Sequence, residues 1–188
     1  MTPAEIFYGV IIAIIAASLI GIATIVYKFI TNKILSKKLT PQEKQEMKEE
    51  FKIASNYYEK AEYKEAFRWF RKCANLGHAE AQYFLATMYK EKKGVMQNYK
   101  EALKWAGKSA EQGDAEGQYL YGYMHYKGLG TAKNLIKAYM WFNLSSKSGK
   151  THVGNPKSIV AGQMNAEEIA EAERLVAEWQ EEFEKRQQ

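Results

Sequence analysis

AQYFLATMYKEKKGVMQNYKEALKWAGKSAEQGDAEGQ, residues 81–118, is followed by a passage built to the same plan, YGYMHYKGLGTAKNLIKAYMWFNLSSKSG, residues 121–149. Trp69, Trp105 and Trp141 are spaced 36 residues apart, as are Gly77, Gly113 and Gly149, and Ala66, Ala102 and Ala138. Ala79/Ala115, Gln82/Gln118, Tyr83/Tyr119, Met88/Met124, Gly94/Gly130 and Asn98/Asn134 share that offset. A fixed period of this length means stacked supersecondary units.

Each unit reads as two helices. In the middle one, Asn98 is a helix cap with Glu101 at the capping-box position. Ala102, Trp105, Ala106 and Ser109 then fall at 3–4 spacing and form one face. Gly113 suits a left-handed residue closing the helix, and Asp114 caps the next one, 115–126. Gly128 and Gly130 break that helix before Asn134 starts another. The repeated tryptophan is expected to pack between helices.

These residues carry a family resemblance. Residues 81–118 and 121–149 resemble Sel1-like repeats, members of the tetratricopeptide-repeat superfamily. The tail MNAEEIAEAERLVAEW, residues 164–179, is similar to the closing helix of bacterial proteins of that family. Lys92 stands where the family has Gly, Thr131 where it has Val, and His125 where it has Tyr. The resemblance covers roughly residues 51–180 and implies an α-solenoid that binds protein partners, without naming one.

The first unit differs. Its turn EKAEY is four residues shorter, and Tyr57, Tyr63, Ala66, Phe70 and Cys73 take spacings that resemble a tetratricopeptide repeat. Both families build antiparallel helix pairs that can share one stack. Thr40, Pro41 and Glu43 give its first helix a cap, a first-turn proline and a carboxylate. At the other end Asn165 with Glu168 reads as a capping box, and Ile169, Ala172, Val176, Trp179 and Phe183 form one apolar stripe. Residues 150–162, holding Gly154 and Pro156, read as a loop.

The amino-terminal end follows different physics. Residues 6–27 carry no charge, and twelve of the 22 are Ile, Leu, Val or Phe. As a helix they would span about 33 Å, against a bilayer core of about 30 Å. Their insertion is favoured by on the order of 5 kcal/mol. A cleaved signal peptide would need a basic start, and residues 1–5 hold no Lys or Arg. Lys28, Lys33, Lys37 and Lys38 follow the segment closely, which points the remainder to the cytoplasmic side and offers contact with anionic lipid. Gly9, Ala13, Ala17 and Gly21 form a small-residue stripe where another helix can approach.

The expected order is therefore a tail (1–5), a transmembrane helix (6–27), a basic linker (28–39), a repeat solenoid (40–162) and a capping helix (163–188). The fold class is all-α, with about three antiparallel helix pairs wound into a right-handed superhelix and closed by the capping helix. The expected location is a bacterial inner membrane, crossed once.

Composition narrows the function. The net charge is +5, and 13 Tyr, 8 Phe and 4 Trp make the chain aromatic-rich. Three prolines, none between Pro41 and Pro156, leave a long stretch open to helices. A single cysteine, Cys73, excludes an internal disulfide and reads as an inert core thiol. SGKT at 148–151 lacks the first glycine of a phosphate loop, since Leu144 stands there. His78, His125 and His152 have no metal-ligand spacing, so no metal, cofactor or enzymatic activity is expected. Nucleic-acid binding is not expected either, because the basic residues show no cluster along the repeats.

What remains is a surface. Tyr119, Tyr123 and Tyr126 lie at i, i+4, i+7 of one first helix, and Tyr83, Thr87 and Lys90 take the matching places on the preceding one. Tyrosine gives broad, rigid contact at low entropic cost. These six residues are the candidate partner-binding set, although Tyr83 and Tyr119 also suit packing between repeats. The expected function is a membrane-anchored adaptor in the assembly or regulation of a membrane or envelope complex. A periplasmic ligand-binding or enzymatic protein, and a structural oligomer joined through the membrane helix, are the alternatives.

Overall fold

A computed structural model describes residues 40–147 and 156–188. Every element among them is a helix: α1 Pro41–Glu59, α2 Tyr63–Asn75, α3 Ala79–Glu91, α4 Tyr99–Glu111, α5 Ala115–Lys127, α6 Leu135–Lys147, α7 Pro156–Ala161 and α8 Ala166–Gln187. The expected segments 6–27 and 28–39 lie outside the described residues. So do Gly9, Ala13, Ala17 and Gly21, and Lys28, Lys33, Lys37 and Lys38. Among the described residues, no helix is long and apolar enough to cross a membrane.

The helix ends follow from local chemistry. Asn98, Asp114 and Asn165 each accept a bond from the backbone N–H three residues on. Thr40 and Glu43 exchange such bonds at the start of α1, at 2.7 and 3.2 Å. Asn165 and Glu168 close a full capping box on α8. The box expected at Asn98 forms by half. The Glu101 carboxylate turns instead to the Trp105 indole N–H, 3.1 Å away, and helps fix that ring. His78 caps α3 through Nδ1, which accepts from the Ala81 N–H at 3.2 Å. Gly113 adopts φ +83°, as its position requires.

α1 packs on α2 where Phe51 and Tyr58 meet Phe70 at 5.7 and 6.0 Å; α3/α4 and α5/α6 form the next pairs, with α3 also lying against α5 and α8 against α6. Alanines allow this closeness: Ala54, Ala66, Ala81, Ala102, Ala106 and Ala138 are fully buried. Phe70 fills the first core, with its ring parallel to Phe84 at 4.7 Å and edge-on to Tyr58 at 6.0 Å. Trp105 and Trp141 are buried, whereas Trp69 of the first unit is only partly so. Trp141 meets Trp179 of α8 edge to face at 5.7 Å, and Trp179 stacks on Phe183 at 4.7 Å. The expected stripe of α8 thus covers the last pair.

The repeated glutamines have a structural task. The buried Gln82 amide donates to the Ala74 carbonyl at 3.0 Å, and Gln118 donates to the Ala110 carbonyl at 3.4 Å. Each adds a second bond to a last-turn carbonyl that also accepts a backbone N–H, from Gly77 at 3.1 Å or Gly113 at 2.9 Å, and so ties the next helix to that turn. Residues 150–162 are not wholly a loop. Pro156–Ala161 forms α7, with Val160 1% exposed in the third core. Pro156 occupies the first helical position, where its missing N–H costs nothing. α7 and α8 together stand where a fourth helix pair would.

Candidate functional site

The candidate residues sit on the face lined by α3 and α5. Between these helices lies a cleft of about 410 Å³ formed by Glu80, Tyr83, Phe84, Asp114 and Glu116. Phe84 is held by its stack on Phe70, and Tyr83 meets Phe84 edge-on at 5.3 Å. Asp114 is fixed by the bonds that Ser109 Oγ and the Gly117 N–H donate to it, at 3.1 and 2.7 Å. Burial, and then the field of Glu116, push the Tyr83 phenol above its ordinary pKa. The cleft therefore combines aromatic walls with three carboxylates.

Of the six residues expected from the sequence, Tyr83 lines this cleft. Thr87 is half-buried one turn further along α3. Lys90 pairs with Glu91 at 3.1 Å and lies 5.7 Å from the centre of the Tyr123 ring, so the matching places on adjacent helices do meet. Tyr119, Tyr123 and Tyr126 are half-buried against the third core. Tyr119 packs on Phe142 at 5.3 Å, and the Tyr126 hydroxyl accepts from the Gln163 amide at 3.0 Å. The tyrosine row is thus partly packing and partly surface. The acidic members and Phe84 were not in the expected set. Glu80 and Glu116 share the 36-residue offset, so that signal was present in the sequence.

Burial governs the titratable groups of the core. Burial pushes the Cys73 thiol up to about 11 and the His125 imidazole down to about 4. His125 is 4% exposed and neither ring nitrogen has a hydrogen-bond partner. Among the described residues, no group of three or more His, Cys, Asp or Glu could hold a metal ion.

The Sel1 repeat pattern matches residues 57–78, 79–114 and 115–150. No curated protein matches the chain. Several solved structures are similar, two of them as follows. A protective antigen of uropathogenic Escherichia coli displaying an SLR fold is 27% identical, with a TM-score of 0.68, over 73% of this chain and 30% of that one. A Sel1 repeat protein from Oxalobacter formigenes is 31% identical, with a TM-score of 0.53, over 60% of this chain and 48% of that one. The chain spans less than half of either relative. With three consecutive matches across half its length, this chain belongs to the Sel1-repeat family.

Proposed function

We propose that the chain is a membrane-anchored adaptor that holds a protein partner on its α3/α5 face and serves the assembly or regulation of a membrane or envelope complex. Sel1 repeats mediate protein–protein interaction, which supports the adaptor class over an enzyme. The observation that carries the site is the cleft, where Glu80, Asp114 and Glu116 surround the Tyr83 and Phe84 rings. That chemistry fits a peptide segment presenting a lysine or arginine, whose charge meets the carboxylates while its stem lies on the rings. Anchoring through residues 6–27 would raise the local concentration of the cleft, so modest affinity suffices. The charge of residues 28–38 supports an inner membrane location with the repeats on the cytoplasmic side.

The test is cross-linking of the full chain in its native membrane, with the recovered proteins identified by mass spectrometry. One specific partner is expected, lost in the double variant Glu80→Lys, Glu116→Lys and weakened about tenfold in Tyr83→Ala. Both variants touch partly exposed side chains, and circular dichroism checks that they fold. A partner recovered equally from folded variants and the parent would place binding elsewhere.

A further inference from the structure

The stacking gathers lysines that are far apart in sequence. The α1–α2, α3–α4 and α5–α6 turns all lie at one edge of the stack. Gly94 of the second turn sits against the Tyr63 carbonyl at the start of α2, and Gly130 of the third against the Tyr99 carbonyl at the start of α4. Lys93 reaches back to the end of α1 and donates to the Tyr58 hydroxyl at 3.0 Å. The edge is therefore continuous across three pairs. Its segments 59–64, 90–101 and 126–137 hold nine lysines against four glutamates and no other charge, and the α7–α8 turn, joined to them where Lys133 donates to Gln163 at 3.4 Å, adds Glu167 and Glu168. On the opposite edge the segments 75–80 and 111–116 hold four carboxylates and no lysine or arginine, and Arg186 from the end of α8 meets Glu111 there at 3.8 Å.

Helix stability does not account for this edge. The dipole favours cations in the last turn, which explains Lys90 and Lys127. Lys64, Lys100 and Lys137 instead occupy the first turns of α2, α4 and α6, where the dipole opposes them, and all three are exposed. Lys92 and Lys133 lie exposed in the turns themselves. Amid these charges Met96 projects with 83% of its surface in water, beside Tyr99 at 36%. An edge that carries exposed lysines, a protruding apolar side chain and a partly exposed tyrosine has the chemistry that suits an anionic bilayer surface.

We propose that this edge, centred on Met96 and bearing Lys92, Lys100, Lys127 and Lys133, rests on an anionic lipid surface. The acidic edge and the Glu80–Glu116 cleft then open away from the bilayer toward the partner. The proposal uses the anchored reading only for proximity.

The experiment uses the full chain with Met96→Cys, labelled with an environment-sensitive fluorophore. Cys73 is buried and resists labelling. The protein is reconstituted into phosphatidylcholine vesicles with or without about one third phosphatidylglycerol, in amounts scaled to the surface charge such lipids supply. Flotation reports the anchor and the label reports the edge. The expected result is blue-shifted, brighter emission on the anionic vesicles alone, reversed by 0.5 M salt. The variant Lys92→Glu, Lys100→Glu, Lys133→Glu should lose it, since each lysine near such a surface is worth about fivefold. Identical emission on both vesicles, with flotation intact, would overturn the proposal and leave the anchor standing. A label that responds to anionic vesicles in a chain that does not float on neutral ones would support the edge and remove the anchor. A stronger response to a DNA duplex than to anionic vesicles at equal charge would also overturn it.

Discussion

Gly130→Ala tests the stacking of turns that builds both the cleft and the lysine edge. Gly130 has φ +76°, and a Cβ added there would lie 2.3 Å from the Tyr99 carbonyl oxygen and 2.6 Å from its carbon. Alanine in the left-handed region costs about 1–2 kcal/mol. Backbone atoms cannot rotate away, so the turn must move by about 1 Å, which adds about 1–3 kcal/mol as overpacking does. Loss of glycine's freedom in the unfolded chain returns about 0.4–1 kcal/mol. The net loss is about 1–4.5 kcal/mol, or a fall in Tm of roughly 3–15 °C for a domain of this size. Gly77→Ala is the control. It has φ +93° but no atom within 4 Å of its added Cβ, so only the backbone strain, about 1 kcal/mol net, applies. Urea unfolding of the two variants, followed by circular dichroism, measures the difference. Equal losses would mean that the α5–α6 turn does not bear on α4, and the continuous edge would go with it.

Other outcomes follow from single contacts. Lys92 holds φ +60° where its repeat partner is Gly128 at φ +70°, so Lys92→Gly should stabilise the chain by about 0.5–1 kcal/mol in the same unfolding assay. His125 is held neutral, with its pKa lowered to about 4, first by burial and then by the field of Lys137. The unfolded chain takes up that proton near pH 6.5 and the folded one near 4, so stability falls as pH drops through this window, by up to about 3 kcal/mol. Tm measured against pH should flatten in His125→Tyr. It should not become level, because His78, whose pKa is also lowered, loses its acceptor when protonated. Glu173 receives the Tyr139 hydroxyl at 2.5 Å and the Asn143 amide at 3.1 Å. Glu173→Ala strands two buried donors and should cost about 2–4 kcal/mol, most of it recovered when Tyr139→Phe and Asn143→Leu are added.

Much of this architecture is legible in the chain because the repeat writes the same chemistry into each unit. Asn98, Asp114 and Asn165 announce helix starts through side-chain acceptors, and Gly113 announces an end through its backbone freedom. These are local effects and need no partner from elsewhere. α7 is not legible because six residues show less than two turns of periodicity, and Pro156 beside Gly154 suits a loop as well as a helix start. The half-formed box at Asn98 escaped for another reason. The Trp105 indole competes for the Glu101 carboxylate, and only the folded side chain shows that contact. The lysine edge is the least legible feature. Basic residues look scattered along the repeats, because turns more than 30 residues apart come together only when the pairs stack. The cleft is half legible: Tyr83 lies in the tyrosine row and Asp114 shows as a cap, but only the stacking of α3 on α5 sets Glu80 and Glu116 beside them.

The adaptor reading rests on a partner touching the α3/α5 face. A photo-cross-linking phenylalanine analogue placed at Tyr83, and separately at the exposed Lys104 on α4, in the full chain in its native membrane, tests this most directly. The account predicts a single partner captured from position 83 and not from 104, with the yield lost when Glu80→Lys and Glu116→Lys are added. Capture from 104 alone, or equal capture from both positions, would contradict it.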